Sequence, residues 1–114
     1  MDGCLFCKIA AGEIPSTKVY EDDTVLAFRD IDPQAPVHVL VIPKKHIESV
    51  LDIKKEDEGI LLHIMEVAQK VAEAEGVDKT GFRMVSNTGK DAQQTVLHLH
   101  FHLIGGRELG WPPG

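Results

Sequence analysis

The sequence predicts an α+β fold: a five-stranded antiparallel sheet with one long helix and a short N-terminal helix. Three stretches carry the prediction. Val37 to Ile42 (VHVLVI) is almost continuously apolar and β-branched and stops at Pro43, as a central strand would. Lys55 to Glu75 holds the one long pattern of helical spacing. Near the C-terminus, His98-Leu99-His100-Phe101-His102-Leu103-Ile104 alternates strictly and is closed by Gly105-Gly106. In a strand the alternation puts three imidazoles on one face and Leu99, Phe101 and Leu103 on the other, whereas a helix would scatter the histidines over about 200°.

Taken in order, residues Leu5 to Ala11 read as a short helical turn stopped by Gly12 and Pro15. Thr17 to Tyr20 and Val25 to Phe28 form a hairpin around Glu21-Asp22-Asp23. Asp30 to Pro36, with two prolines, is an irregular loop. In the long helix, Ile60, Leu61, Ile64, Met65, Val67, Ala68, Val71 and Ala72 make the apolar stripe, and His63, Glu66, Lys70 and Glu73 fall opposite as a solvated face. Glu56, Asp57 and Glu58 suit the positive end of the helix, and Gly76 is a natural stop. Phe82 to Ser86 supplies a further strand, Asn87 to Thr95 a polar loop, and Arg107 to Gly114 an irregular tail.

A chain of 114 residues with 43% hydrophobic and 26% charged content suits a single domain spanning residues 1–114. The formal net charge of −6 argues against binding a nucleic-acid polymer through a basic surface, but leaves room for a small nucleotide. No apolar run approaches a membrane span, and the opening Met1-Asp2-Gly3-Cys4 lacks the basic and apolar regions of a signal peptide, so a cytoplasmic location is expected. There a Cys-x-x-Cys pair such as Cys4/Cys7 is a metal knuckle or a redox pair rather than a structural disulfide.

Three imidazoles side by side are costly to bury unless each finds a hydrogen bond or a metal. Two readings of the triplet stay open. One is a zinc site, since His-x-His on a strand presents two ligands together. The other uses one neutral imidazole as a nucleophile toward phosphorus, its second nitrogen bonded to a fixed acceptor. Asn87 and the Thr95 hydroxyl, with Gly81 and Gly89, flank the strand as neutral donors for a developing anion. His38 lies inside an apolar strand, where only a partner makes burial tolerable. Cys4, Cys7 and His46 are one ligand short of a tetrahedral set, and His98 can supply it. His63 reads as a solvated histidine without a functional role.

His-Leu-His-Phe-His-Leu-Ile matches the His-Φ-His-Φ-His-Φ-Φ signature (Φ apolar) of the histidine triad, or HIT, superfamily. Phe6-Cys7-Lys8-Ile9, Glu13-Ile14-Pro15, Glu21-Asp22-Asp23, Ala27 to Ile31, Pro33-Gln34-Ala35-Pro36, Val41 to His46, Gly105-Gly106-Arg107 and the terminal Trp111-Pro112-Pro113-Gly114 resemble its Hint branch. The resemblance implies a HIT-like fold and a hydrolase of purine nucleoside phosphoramidates or related nucleoside monophosphate derivatives. His100 would be the nucleophile, forming a nucleotidyl-histidine, with its ring fixed by the His98 carbonyl. His102, Asn87 and Thr95 would contact the phosphate or leaving group, and His38 would support the triad. Asp30 would hold the ribose, and Phe6, Ile9, Phe28 and Ile31 would surround the base. A structural zinc on Cys4, Cys7, His46 and His98, with no catalytic metal, and a homodimer reached by the Trp111 tail complete the set. Thr95 departs from the serine of the best-known Hint proteins but keeps the hydroxyl. The alternatives are a nucleotide-binding sensor or interaction module with little turnover, a dinucleoside polyphosphate hydrolase of the Fhit type, and a catalytic zinc on the triad.

Overall fold

The computed structural model describes residues 3–114. The chain runs α1 (Leu5–Ala10), β1 (Lys18–Glu21), β2 (Val25–Arg29), β3 (Val37–Pro43), a 3₁₀ turn at Val50–Asp52, another at Lys55–Asp57, α2 (Glu58–Ala74), β4 (Phe82–Val85) and β5 (Phe101–Gly105). The strands form one sheet in the order β1-β2-β3-β5-β4, every neighbouring pair antiparallel.

The pleat of β3 explains its unbroken apolar sequence. Val37, Val39 and Val41 face α2 in a core that also takes Val25, Ala27 and Leu103 from the neighbouring strands. Leu40 and Ile42 face the other way and pack with Leu26, Phe28 and the α1 residues Phe6 and Ile9. Both faces of the sheet centre are therefore covered, so alternation with polar residues is absent. His38 shares the α1 face. The register sets Leu40 opposite His102 and His38 opposite Ile104, so the two histidines are diagonal neighbours on that face.

Four sequence expectations shift. The long helix begins at Glu58, not Lys55, because Lys55–Asp57 winds as a 3₁₀ turn. Asp57, only 1% exposed, accepts from the Lys54 amide at 2.9 Å and from Lys45 Nζ at 2.6 Å. Only Ile64, Val67, Ala68, Val71 and Ala72 of the apolar stripe are fully buried; Ile60, Leu61 and Met65 are half-buried and Leu62 is 64% exposed. The helix ends as expected at Gly76, whose φ of 75° lets the amides of Gly76 and Val77 turn back to the carbonyls of Glu73 and Ala72.

The histidine strand is shorter than its pattern. β5 starts at Phe101, where its pairing with β3 ends at Val41 and its pairing with β4 has already ended at Val85 opposite His102, and residues 98–100 precede the ladder. β3 ends at Pro43, which has no N–H to offer, and β4 ends at Val85. Substitute bonds carry the alternation upstream: the Leu99 amide donates to the Ile47 carbonyl at 2.6 Å, and the Ser86 hydroxyl to the His100 carbonyl at 2.9 Å.

His63 is not the solvated residue its helix face suggests. Its Nε2 pairs with Asp22, which also accepts from the Tyr20 hydroxyl at 2.7 Å and from the amides of Thr24 and Val25. The bonds to Asp22 and Glu66 raise the His63 pKa; burial works against the shift of Asp22, but its four donors hold that carboxyl well below its usual range. The pair thus ties α2 to the β1–β2 turn. Its contribution is full below the unfolded imidazole value of about 6.5 and fades as pH rises through the raised folded value. Asp22→Asn is expected to lower the urea unfolding free energy by about 1 kcal/mol at pH 6 and by progressively less in alkaline buffer. A pH-independent difference between the two proteins would count against the pairing.

Candidate active site

The three histidines of the triplet emerge with three different sets of partners. His98 is fully buried, and its Nε2 sits 2.8 Å from the Pro43 carbonyl. A carbonyl only accepts, so Nε2 carries the proton and Nδ1 carries the lone pair. That Nδ1 lies 3.3 Å from Cys4 Sγ and 3.4 Å from Cys7 Sγ, while His46 Nδ1 is 3.2 Å from Cys7 Sγ. The four donor atoms all lie within 4.8 Å of one another, bringing together the whole metal-ligand set that the sequence suggested.

The donor set fits zinc. A tetrahedron with Zn–S of about 2.3 Å and Zn–N of about 2.0–2.1 Å has S···N edges of about 3.5 Å, close to the contacts observed. The Pro43 carbonyl also supplies the outer-shell acceptor that orients a ligating histidine. Burial, then the neighbouring Cys4 sulfur, push the Cys7 thiol up to about 11, so a Cys7 thiolate calls for a cation beside it.

His100 has a different acceptor. Its Nδ1 is 2.7 Å from the His98 carbonyl, which fixes the proton on Nδ1 and leaves the lone pair on Nε2. The Phe6 ring stands edge-on to the imidazole, centroids 4.9 Å apart and planes at 89°. Burial lowers the His100 pKa, keeping the ring neutral at physiological pH.

His102 is ordered by a relay. The Gln34 amide donates to His38 Nδ1 at 3.1 Å, so His38 holds its proton on Nε2 and gives it to His102 Nδ1 at 2.9 Å. The free N–H of His102 is then Nε2–H, next to the His100 ring at a centroid distance of 5.1 Å. Asp30 Oδ2 lies 3.4 Å from His38 Nε2, a second and longer acceptor for the same proton. Burial first, then the neighbouring His100 and His38, push the His102 pKa down to about 4. Asp30, His38 and His102 also form a compact donor cluster, but the relay already engages the nitrogens that would face a metal.

The remaining sequence candidates are distributed unevenly. Phe6, Ile9 and Phe28 are buried together beside the triad. Asp30 is half-buried at the end of β2, and Ile31 is 101% exposed, away from those three. Asn87 is half-buried and Thr95 exposed. Among the described residues no hydrogen bond joins either of them to the histidines. Thr95 instead borders a cavity of about 520 Å³ that it shares with Cys4, Leu5, His46, Glu48 and Leu97. Three groups that orient the site carry no functional signal in the sequence. The Gln34 amide and the Pro43 carbonyl act through backbone, which side-chain identity does not report. Ser86 reads as an ordinary strand residue.

The geometry can be set beside known proteins. Residues 11–109 match the HIT domain family. An uncharacterised HIT-like protein of Synechococcus elongatus is 52% identical over 110 residues, covering 96% of each chain. Among solved structures, a HIT family hydrolase from Legionella pneumophila superposes with a TM-score of 0.96 at 54% identity, covering 98% of this chain and all of that one. A histidine triad protein from Clostridium difficile gives 0.92 at 55% identity, with 96% and 95% covered.

Proposed function

Because the chain belongs to the HIT family, we propose that it is a nucleotide-binding hydrolase that cleaves the P–N bond of purine nucleoside phosphoramidates through a covalent nucleotidyl-histidine. The 2.7 Å bond from His100 Nδ1–H to the His98 carbonyl carries this reading, because it commits a buried, neutral imidazole to present a lone pair at Nε2. The description of the Legionella relative as a hydrolase supports the reaction class.

In this mechanism Nε2 of His100 attacks the α-phosphorus as the P–N bond breaks, and the leaving amine takes up a proton from solvent. Water then attacks the phospho-imidazole, releasing the nucleoside monophosphate, returning a proton to solvent and restoring neutral His100. His102 Nε2–H donates to the phosphoryl region, and His38 holds His102 in the tautomer that can do so. Asp30 accepts from the ribose hydroxyls, Phe6, Ile9, Phe28 and Ile31 surround the base, and Asn87 and Thr95 complete the phosphate and leaving-group contacts once substrate is bound. Zinc on Cys4, Cys7, His46 and His98 is structural: all four positions come from protein, which leaves none open for substrate. The working form is a homodimer in the cytoplasm, a reducing setting in which Cys4 and Cys7 stay available as ligands. The edge strand β4 with Phe82 and Val85, and Trp111 at 82% exposure, offer the surface for the second copy.

Stereochemistry tests the covalent step. Two successive displacements return the configuration at phosphorus, so a nucleoside phosphoramidate made chiral with oxygen isotopes is expected to give product with retention. Inversion would mean direct attack by water and would remove His100 from the nucleophile role.

The pH profile follows from the histidines. His100 and His102 must be neutral, and both have lowered pKa values, so kcat/KM is expected to stay level through pH 6.5 and to fall only in more acidic buffer. An acid limb centred on the ordinary imidazole value of about 6.5 would contradict the burial argument. Stability moves in the same direction: as pH drops below about 6.5 the unfolded chain takes up protons that these buried rings refuse.

A further inference from the structure

The spacing Cys4-x-x-Cys7 is used by the zinc reading but not exhausted by it. We infer that the pair is an oxidation site, at which a hydroperoxide closes a Cys4–Cys7 disulfide and dismantles the Cys4/Cys7/His46/His98 cluster. The disulfide itself needs no metal; what is released on closure rests on the zinc reading above.

The geometry supports closure within one chain. The two sulfurs lie within 4.8 Å of each other, and the Cys7 amide donates to Cys4 Sγ at 3.1 Å, which draws that sulfur over the first turn of α1. Both sulfurs converge on the same atom, His98 Nδ1, at 3.3 and 3.4 Å. Closing the bond to about 2.05 Å, with Cβ atoms about 3.5–4.5 Å apart, asks for rotation of the two side chains and a slight tightening of the first turn of α1. Both cysteines are half-buried. Cys4 lines the cavity of about 520 Å³ with Leu5, His46, Thr95 and Leu97. That cavity is a route for a small oxidant to the Cys4 sulfur.

The chemistry balances. The Cys4 sulfur attacks one peroxide oxygen and the O–O bond breaks, giving a sulfenic acid and one water or alcohol. The Cys7 sulfur then attacks the Cys4 sulfur and expels a second water, so two electrons pass from the thiols to the peroxide. Both sulfurs withdraw from His98 Nδ1 and His46 Nδ1, leaving two ligands of the four. The effect reaches the catalytic histidine because Phe6, between the two cysteines in the first turn, is the ring packed edge-on to His100.

The test begins with the metal-loaded protein treated with hydrogen peroxide. Intact mass should drop by about 2 Da, peptide mapping should join Cys4 to Cys7, and a chromogenic chelator should detect one zinc ion released per disulfide. Turnover should fall about tenfold and return with a thiol reductant and zinc. Cys7→Ser, which lacks the resolving thiol, should accumulate a dimedone-reactive sulfenic acid at Cys4, whereas Cys4→Ser should label far more slowly at Cys7. The wild-type peptide map stands on its own if either variant fails to fold. Cross-linked dimers, or sulfinic acids without the mass loss, would overturn the inference. A disulfide that forms equally in chelated protein, with no metal released from untreated protein, would uphold the oxidation site and reject the zinc reading.

Discussion

His100→Ala is expected to abolish hydrolysis of an adenosine phosphoramidate, by about 10⁴-fold or more, while the protein stays folded and still binds nucleoside monophosphate. The size follows from the job assigned to the ring. It supplies the bond-forming lone pair, and no other imidazole of the triad can replace it. His98 spends both nitrogens on Pro43 and the cysteine cluster, and His102 presents an N–H where a nucleophile needs a lone pair. His102→Ala should cost less, about 10²–10³-fold, because it removes a donor rather than the attacking atom. Steady-state kinetics, with circular dichroism as the folding control, check both variants. Turnover retained in His100→Ala would refute the covalent mechanism, and equal losses in the two variants would refute the separation of roles.

If the proposed zinc is structural, removing it should act chiefly on stability. When free zinc stands at about a thousand times its dissociation constant, binding adds about 4 kcal/mol, and chelation should take that away in denaturant titrations. Turnover at room temperature should fall about tenfold, through a looser His98 and α1. A catalytic zinc would behave differently: chelation would stop the reaction outright with the fold intact. Cys7→Ser provides the same test without a chelator, since it removes one ligand and leaves the triad in place.

Most of the fold could be read from the sequence, and the exceptions share a cause. VHVLVI is recognisable as a central strand because covering both faces demands an unbroken apolar run. The misplaced boundaries are those set by a neighbour. The start of β5 at Phe101 depends on where β3 and β4 stop, and the start of α2 at Glu58 depends on Asp57 turning back to Lys54 and Lys45. His63 fails for the same reason, since its partner Asp22 is 41 residues away. At the site, residue types suggest the members, and tertiary structure supplies the partners that distinguish one histidine from the next. Cys4 and His98 are 94 residues apart, so chemistry could suggest the four-ligand set but spacing alone could not establish it. Without the family resemblance the unequal histidines are not legible in three identical letters, because what separates them is the Pro43 carbonyl for His98, the His98 carbonyl for His100, and for His102 the His38 ring set by the Gln34 amide.

The strand order β1-β2-β3-β5-β4 also has a bearing on how the molecule assembles. The last strand in sequence, Phe101–Gly105, is the one inserted between β3 and β4, and until it arrives those two have no shared partner. During refolding the ladder must close across a separation of about sixty residues on one side, which is a slow, non-local step. The residues that dock in that step are the ones that bear His102 and pull His98 and His100 into register. Recovery of catalytic activity on refolding is therefore expected to follow closure of this ladder, and a chain that has not closed it leaves the β3 edge free to pair with a neighbour.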